Sequence, residues 1–258
     1  MKTFQSFAVL LSAFALASCE KNAVQDITGS LPEAQIRFFN FGVNAPGVNF
    51  FANENKLTAL LSGTGVESTT GTVYGGAGSA GFYSALTPGT YSFSGKIAAA
   101  TDKDLTISTI SSALVAGKAY SLYLSGLYDA TGKKSDGFVV EDNFANTYDY
   151  SVAYVRFVNA ISNSQPMTLF VRDTTVTPAT EVPIGAAVAY KAGGTFVAVP
   201  VGVYNLSTRV TGSAANVISR SAVSFGAGKV YTVGARGDMT ITSTTAVTRP
   251  FLDNTANR

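Results

Sequence analysis

The chain has 258 residues, 46% of them apolar and only 13% charged, with 18 basic against 16 acidic side chains. A typical soluble domain carries roughly 25% charged residues, so the polar surface here must come largely from uncharged groups; Thr alone occurs 29 times. There is no His, no Trp and a single Cys, which excludes His-based acid–base chemistry and disulfides, and a net charge of +2 implies no general nucleic-acid affinity.

The chain opens with Met1-Lys2, a short positive start, followed by an apolar stretch over residues 7–17. That stretch is too short to remain as a spanning helix. The run Leu16-Ala17-Ser18-Cys19 places small residues before the only cysteine. It resembles a bacterial lipoprotein signal peptide with its lipobox. The resemblance implies cleavage after residue 18 and lipidation of Cys19. Several acyl chains, at about 0.8 kcal/mol per buried CH₂, would then anchor the protein. Residues 1–18 are expected to be the signal peptide. Residues 19–33, mixed polar with Gly29 and Pro32, are expected to be the lipidated Cys and a tether. Its dozen or so residues could reach up to ~40 Å from the lipid. Glu20 is not the Asp that retains lipoproteins at the inner membrane of enteric bacteria, which points to the outer membrane, periplasmic or surface face.

The remainder reads as two copies of one unit, over residues 34–150 and 151–258. Ile36-Arg37-Phe38-Phe39-Asn40 aligns with Val155-Arg156-Phe157-Val158-Asn159, and Pro88-Gly89-Thr90-Tyr91 with Val201-Gly202-Val203-Tyr204. Ala116-Gly117-Lys118-Ala119-Tyr120 aligns with Ala227-Gly228-Lys229-Val230-Tyr231, and Asp142-Asn143-Phe144-Ala145-Asn146 with Asp253-Asn254-Thr255-Ala256-Asn257. Repeats of this kind decide the fold reading. Around Val155 and Phe157 apolar side chains alternate with Arg156, as on a strand with one buried face. Pro and Gly supply turns, and β-branched and aromatic residues suit strands. Seven or eight short strands per unit, with turns every 8–15 residues or so, predict an all-β chain of two tandem antiparallel β-sandwich (immunoglobulin-like) domains. A closed barrel is the alternative. Residues 111–116 could form one helical turn at most.

The strand Arg156-Phe157-Val158-Asn159-Ala160, the apolar strand near 167–171, the turn at Pro200–Tyr204 and the Ala-Gly-Lys-x-Tyr-Thr-Val run at 227–233 together resemble the DUF4397 family of bacterial extracytoplasmic domains. The likeness is clearer in the second unit. The first departs at Phe41, where the pattern prefers Ala, and has a longer middle. The family is of unknown function and implies no catalytic residues.

The search for chemistry is nearly empty. A Ser-His-Asp triad is impossible without His, and no Gly-x-Ser-x-Gly elbow occurs. Asp142 and Asp253, the acids that align between the units, are expected to cap turns or pair with Arg37 or Arg156. Gly76-Ala77-Gly78-Ser79-Ala80-Gly81 fits Gly-x-Gly-x-x-Gly, but strand rather than helix is expected through Phe82-Tyr83 to Leu86, so it reads as a hairpin loop. Its counterpart lies near Ala192-Gly193-Gly194. Asp102-Lys103-Asp104 and the loop from Asp129 to Asp136 hold acids close together without an EF-hand pattern. The aromatic segment 141–150, with Phe144, Tyr148 and Tyr150, is expected to dock the two domains.

The expectation is a non-enzymatic cell-envelope lipoprotein, a binding or structural module of unknown ligand, without catalytic residues, metal or cofactor. It would meet the membrane through its N-terminal lipid and could meet an envelope protein or a glycan, but no nucleic acid. The alternative is a carboxylate-dependent extracytoplasmic hydrolase, for example acting on glycans.

Overall fold

A computed structural model describes residues 33–258 apart from Ser62. Residues 1–32, with Cys19 and the expected signal peptide and most of the tether, lie outside the described residues. The described chain is β throughout, with one short 3-10 turn at Gly78–Gly81. Among the described residues no helix is long and apolar enough to cross a membrane.

Each unit contributes nine strands, more than the seven or eight expected because each includes strands of two or three residues. The first unit has β1 (Ala34–Asn40), β2 (Val48–Ala52), β3 (Asn55–Lys56), β4 (Gly76–Ala77), β5 (Ser84–Leu86), β6 (Gly89–Ile97), β7 (Thr106–Leu114), β8 (Ala119–Asp129) and β9 (Lys134–Glu141). The second has β10 (Ala153–Asn159), β11 (Met167–Asp173), β12 (Glu181–Val188), β13 (Ala192–Gly193), β14 (Val197–Val199), β15 (Gly202–Val210), β16 (Ile218–Phe225), β17 (Val230–Arg236) and β18 (Phe251–Ala256). Residues 111–114 belong to β7, not to a helical turn, because their alternation is completed by pairing with β6.

In each unit a five-stranded sheet faces a four-stranded one. The first unit pairs β4-β1-β8-β9, with β5 also on β1, against β3-β2-β6-β7. The second repeats this as β13-β10-β17-β18, with β14 also on β10, against β12-β11-β15-β16. Pairing is antiparallel except for one parallel pair per unit, β1 with β8 and β10 with β17. The registers match: Ile36 lies opposite Tyr120 as Val155 lies opposite Tyr231.

Each unit closes its own core. Ile36, Phe38, Phe50, Phe93 and Leu122 fill the first, and Val155, Phe157, Leu169, Leu206 and Phe225 the second. Turn chemistry repeats too. Tyr91 donates to the carbonyl of Thr87 at 2.7 Å, and Tyr204 to that of Pro200 at 2.8 Å. Asn40 Oδ1 accepts from the backbone N–H of Gly42, and Asn159 Oδ1 from that of Ile161. Gly117 and Gly228 take positive φ, 70° and 65°, just before the parallel strands.

One expectation about these strands fails. β1 and β10 are buried along nearly their whole length, not on one face. A third cluster explains it: Phe39, Phe41, Tyr123 and Phe138 of the first unit pack with Val158 and Ala160 of the second. The two five-stranded sheets lie back to back, so each is covered on both faces, as central sheets with parallel pairs usually are.

Candidate functional site

The most concentrated chemistry in the described chain lies between these sheets. Arg37 on β1 and Arg156 on β10 occupy equivalent positions on the faces turned away from their own cores, and both are buried. Each Nε donates to a hydroxyl on the neighbouring parallel strand, Arg37 to Ser121 and Arg156 to Thr232, both at 3.0 Å. Each Nη1 then crosses to the other unit. Arg37 reaches the carbonyl of Ala256 at 3.3 Å and Arg156 that of Glu141 at 2.9 Å.

Asp142, directly after β9, supplies the single anion. It forms an ion pair with Arg156 Nη2 and lies 3.9 Å from Arg37 Nε. Ser121 and Tyr83 donate to its Oδ2 at 2.7 and 2.5 Å. Arg37 stacks on Tyr83 and Arg156 on Phe196, at 4.9 and 4.8 Å. Burial, with Asp142 beside it, pushes the Tyr83 hydroxyl well above its usual range, so it remains a donor. Both guanidiniums bond to groups of their own unit and of the other, so this constellation is suited to holding the two surfaces together.

Shape complements charge. At the positions equivalent to Phe39, Phe41, Tyr123 and Phe138 the second unit carries Val158, Ala160, Gly234 and Asp253. A Cβ on Gly234 would stand 2.9 Å from Phe41 Cε2, and one on Gly193 2.7 Å from Val140 Cγ1. Large side chains of one unit thus fill space left by small ones of the other. Further along the seam, Lys191 pairs with Asp136 at 2.7 Å, and the Tyr190 hydroxyl lies 3.0 Å from that of Ser125. Burial raises the Asp136 pKa, but hydrogen bonds from Lys191, Gly137 N–H and Tyr190 outweigh it and hold the carboxyl below its ordinary value.

The structure brings Asp142 together with both expected arginines but separates it from Asp253. Asp142 N–H donates to the carbonyl of Ala119, and the bond in the same place in the second unit comes from Asn257 to Val230. Asn257 is therefore the counterpart of Asp142. Asp253 lies four residues earlier and pairs with Arg236. The matching Asp-Asn-x-Ala-Asn letters mislead because strand register, not local identity, sets equivalence.

Other candidates resolve locally. Asp102 pairs with Lys133 at 2.6 Å, and Asp129 caps its own turn at Thr131 and Gly132. Among the described residues no group of three or more Asp, Glu or Cys stands placed to hold a metal ion. Gly76 and Ala77 form β4, the 3-10 turn follows, and strand resumes only at Ser84, so Phe82-Tyr83 are not strand as expected. Ala192-Gly193 is β13, paired to β10 as β4 is to β1. Of the docking aromatics, Phe144 does stack on Phe196, at 5.6 Å, whereas Tyr150 is 75% exposed. The sequence reading missed Tyr83 and Phe196 in this role. Phe41 carried a signal, its departure from Ala.

A second repeated arrangement faces outward. Lys96 lies over Phe51 at 4.6 Å and pairs with Glu54. Arg209 lies over Phe170 at 4.3 Å and pairs with Glu181 at 2.5 Å.

The second unit carries the Asn-terminated strand, the Tyr turn and the Gly-Lys turn in one fold. Residues 153–258 match the family described as Domain of unknown function (DUF4397). No curated protein matches the chain. Among solved structures, a leucine-rich repeat protein from Bacteroides thetaiotaomicron is similar at 12% identity and TM-score 0.21, over 82% of this chain. The chain spans only 27% of that protein's length. A candidate cell adhesion protein from Bacteroides ovatus is similar at 7% identity and TM-score 0.28, over 89% of this chain and 97% of its own.

Proposed function

We propose that this protein is a non-enzymatic lipoprotein of the bacterial outer membrane, anchored through Cys19, whose two units form one rigid recognition module. In this reading both units are DUF4397 domains, the first a diverged copy. The reading rests chiefly on the buried Arg37–Asp142–Arg156 joint. It commits the deepest charges of both units to a fixed mutual orientation, which suits presentation of loops and outer sheet faces to a partner. The partner would be an envelope protein or a glycan.

The test is fractionation of cells expressing the full chain and its Cys19→Ser variant, with in-envelope cross-linking of the wild type. The wild type is expected in the outer-membrane fraction with defined cross-linked neighbours, and the variant released or unprocessed. A processed Cys19→Ser protein that stays on the membrane would refute the anchor. Turnover in a hydrolase screen, abolished by one carboxylate substitution, would refute the non-enzymatic reading.

A further inference from the structure

The two units differ in several connections, among them the one that follows the parallel strand. A tight hairpin over residues 130–133 joins β8 to β9, whereas a loop over 237–250 joins β17 to β18. Irregular connections longer than about 12–15 residues are uncommon in compact domains and are usually either functional or linker segments. This one lies beside β16 and leaves a cleft of about 580 Å³. Small-molecule sites usually measure about 300–1,000 Å³. Val217, Ile241 and Pro250 give the cleft apolar walls, while Ser219, Thr242 and Ser243 add hydroxyls.

Arg249 also lines the cleft. Its guanidinium is one of three gathered round Phe251: Arg220, Arg236 and Arg249 stand 5.3, 5.1 and 5.2 Å from the ring centroid. Arg236 is neutralised by Asp253. Arg220 donates to the carbonyl of Leu252 and Arg249 to that of Ala246. Among the described residues, neither has a carboxylate within salt-bridge reach. Asp238, at the base of the loop, is engaged by Thr240 and Asn163. Arg249 therefore brings to the cleft one positive charge without a carboxylate partner among the described residues, beside hydroxyls and apolar walls.

We propose that this cleft binds a sugar bearing a carboxylate, a uronic-acid unit of an acidic glycan. The guanidinium fork matches a carboxylate, the Ser and Thr hydroxyls match ring hydroxyls, and the apolar walls match the C–H face of a pyranose. A neutral sugar would leave the Arg249 cation unmet, and a bare anion would leave the apolar walls unused. The proposal deepens the recognition reading above and rests on it in that the ligand is held, not cleaved.

The experiment is calorimetric titration of the full chain, purified in detergent, with tri-galacturonate, its methyl ester and inorganic phosphate. The acidic trimer is expected to bind, and the ester and phosphate to bind at least about tenfold more weakly. Arg249→Ala should weaken the trimer by a similar factor, about tenfold. A Ser219→Ala/Thr242→Val double variant, which leaves the Arg249–Ala246 contact intact, should weaken it as well with an unchanged melt, and it decides the matter if Arg249→Ala fails to fold. No trimer binding, equal affinity for the ester or phosphate, or full affinity in a folded variant would overturn the site and leave the module reading standing. Shortened trimer in the cell would instead overturn the module reading.

Discussion

Arg37 and Arg156 sit at the same position of two equivalent strands, and each guanidinium crosses to the other unit's last strand or the residue after it. The exchange is not symmetric in charge. Arg156 meets the Asp142 carboxylate, whereas the counterpart of Asp142 is Asn257. Arg37 Nη2 and both side-chain polar atoms of Asn257 are buried without hydrogen-bond partners. Two buried cations therefore share one buried anion.

Removing that anion should be costly. Breaking a buried ion pair by deleting one partner destabilises by about 3–5 kcal/mol. Asp142→Asn is expected to lower the Tm by roughly 10 °C. Asn257→Asp supplies the missing carboxylate beside Arg37 and should raise it. Thermal melts of the two variants check both signs, and a lowered Tm in Asn257→Asp would contradict the proposed equivalence.

The fit between Phe41 and Gly234 predicts a compensating pair. Gly234→Val would drive a side chain into the Phe41 ring, and overpacking of this kind costs about 1–3 kcal/mol. Phe41→Ala alone should also destabilise, by about 3–5 kcal/mol, through the cavity it leaves. Combined, the two should cost less than their sum in a double-mutant cycle. Strict additivity in urea melts would show that the contact is not formed.

The seam should weaken at both extremes of pH. The Asp136 carboxyl is held below its ordinary value in the folded state, so its contribution is present above the usual carboxylate range and is lost as pH falls through the folded value. Tyr190 is raised to about 12, chiefly by burial, from 10.0. Its contribution is complete below pH 10 and is lost as pH climbs towards 12. Asp136→Asn should flatten the acid limb of a stability–pH profile, and Tyr190→Phe the alkaline limb. Unchanged limbs in both variants would count against these contacts.

Fragments divided near Asp149 should behave unequally. Each contains a complete core, so each should give a β-type circular dichroism spectrum. Residues 34–150 alone would expose Phe39, Phe41, Tyr123 and Phe138 together with Arg37, and are expected to aggregate or dimerise. Residues 151–258 would expose Val158, Ala160 and Gly234 with Arg156 and the rings of Tyr190 and Phe196, a smaller apolar patch, and should stay monomeric. Sedimentation of the two fragments, then of their mixture, checks this, and the mixture should form a one-to-one complex.

Local patterns carried the strands, the turns and the duplication, because the alternation of Phe157 and Val155 or the Pro-Gly punctuation before Tyr91 reports on a few neighbouring residues. The DUF4397 likeness was legible for the same reason, in Arg156–Ala160 and Ala227–Val233. What lay beyond reach was the second face of the central sheets. Arg156 between two apolar neighbours looks the same whether water or another sheet covers it, and only the packing of the two units buries it. The equivalence of Asp142 with Asn257 was hidden likewise, since register is set by hydrogen bonds to β8 and β17, far away in the chain. Local sequence determined the strands and turns; the tertiary structure decided that the two five-stranded sheets bury each other, because that depends on which distant surfaces fit.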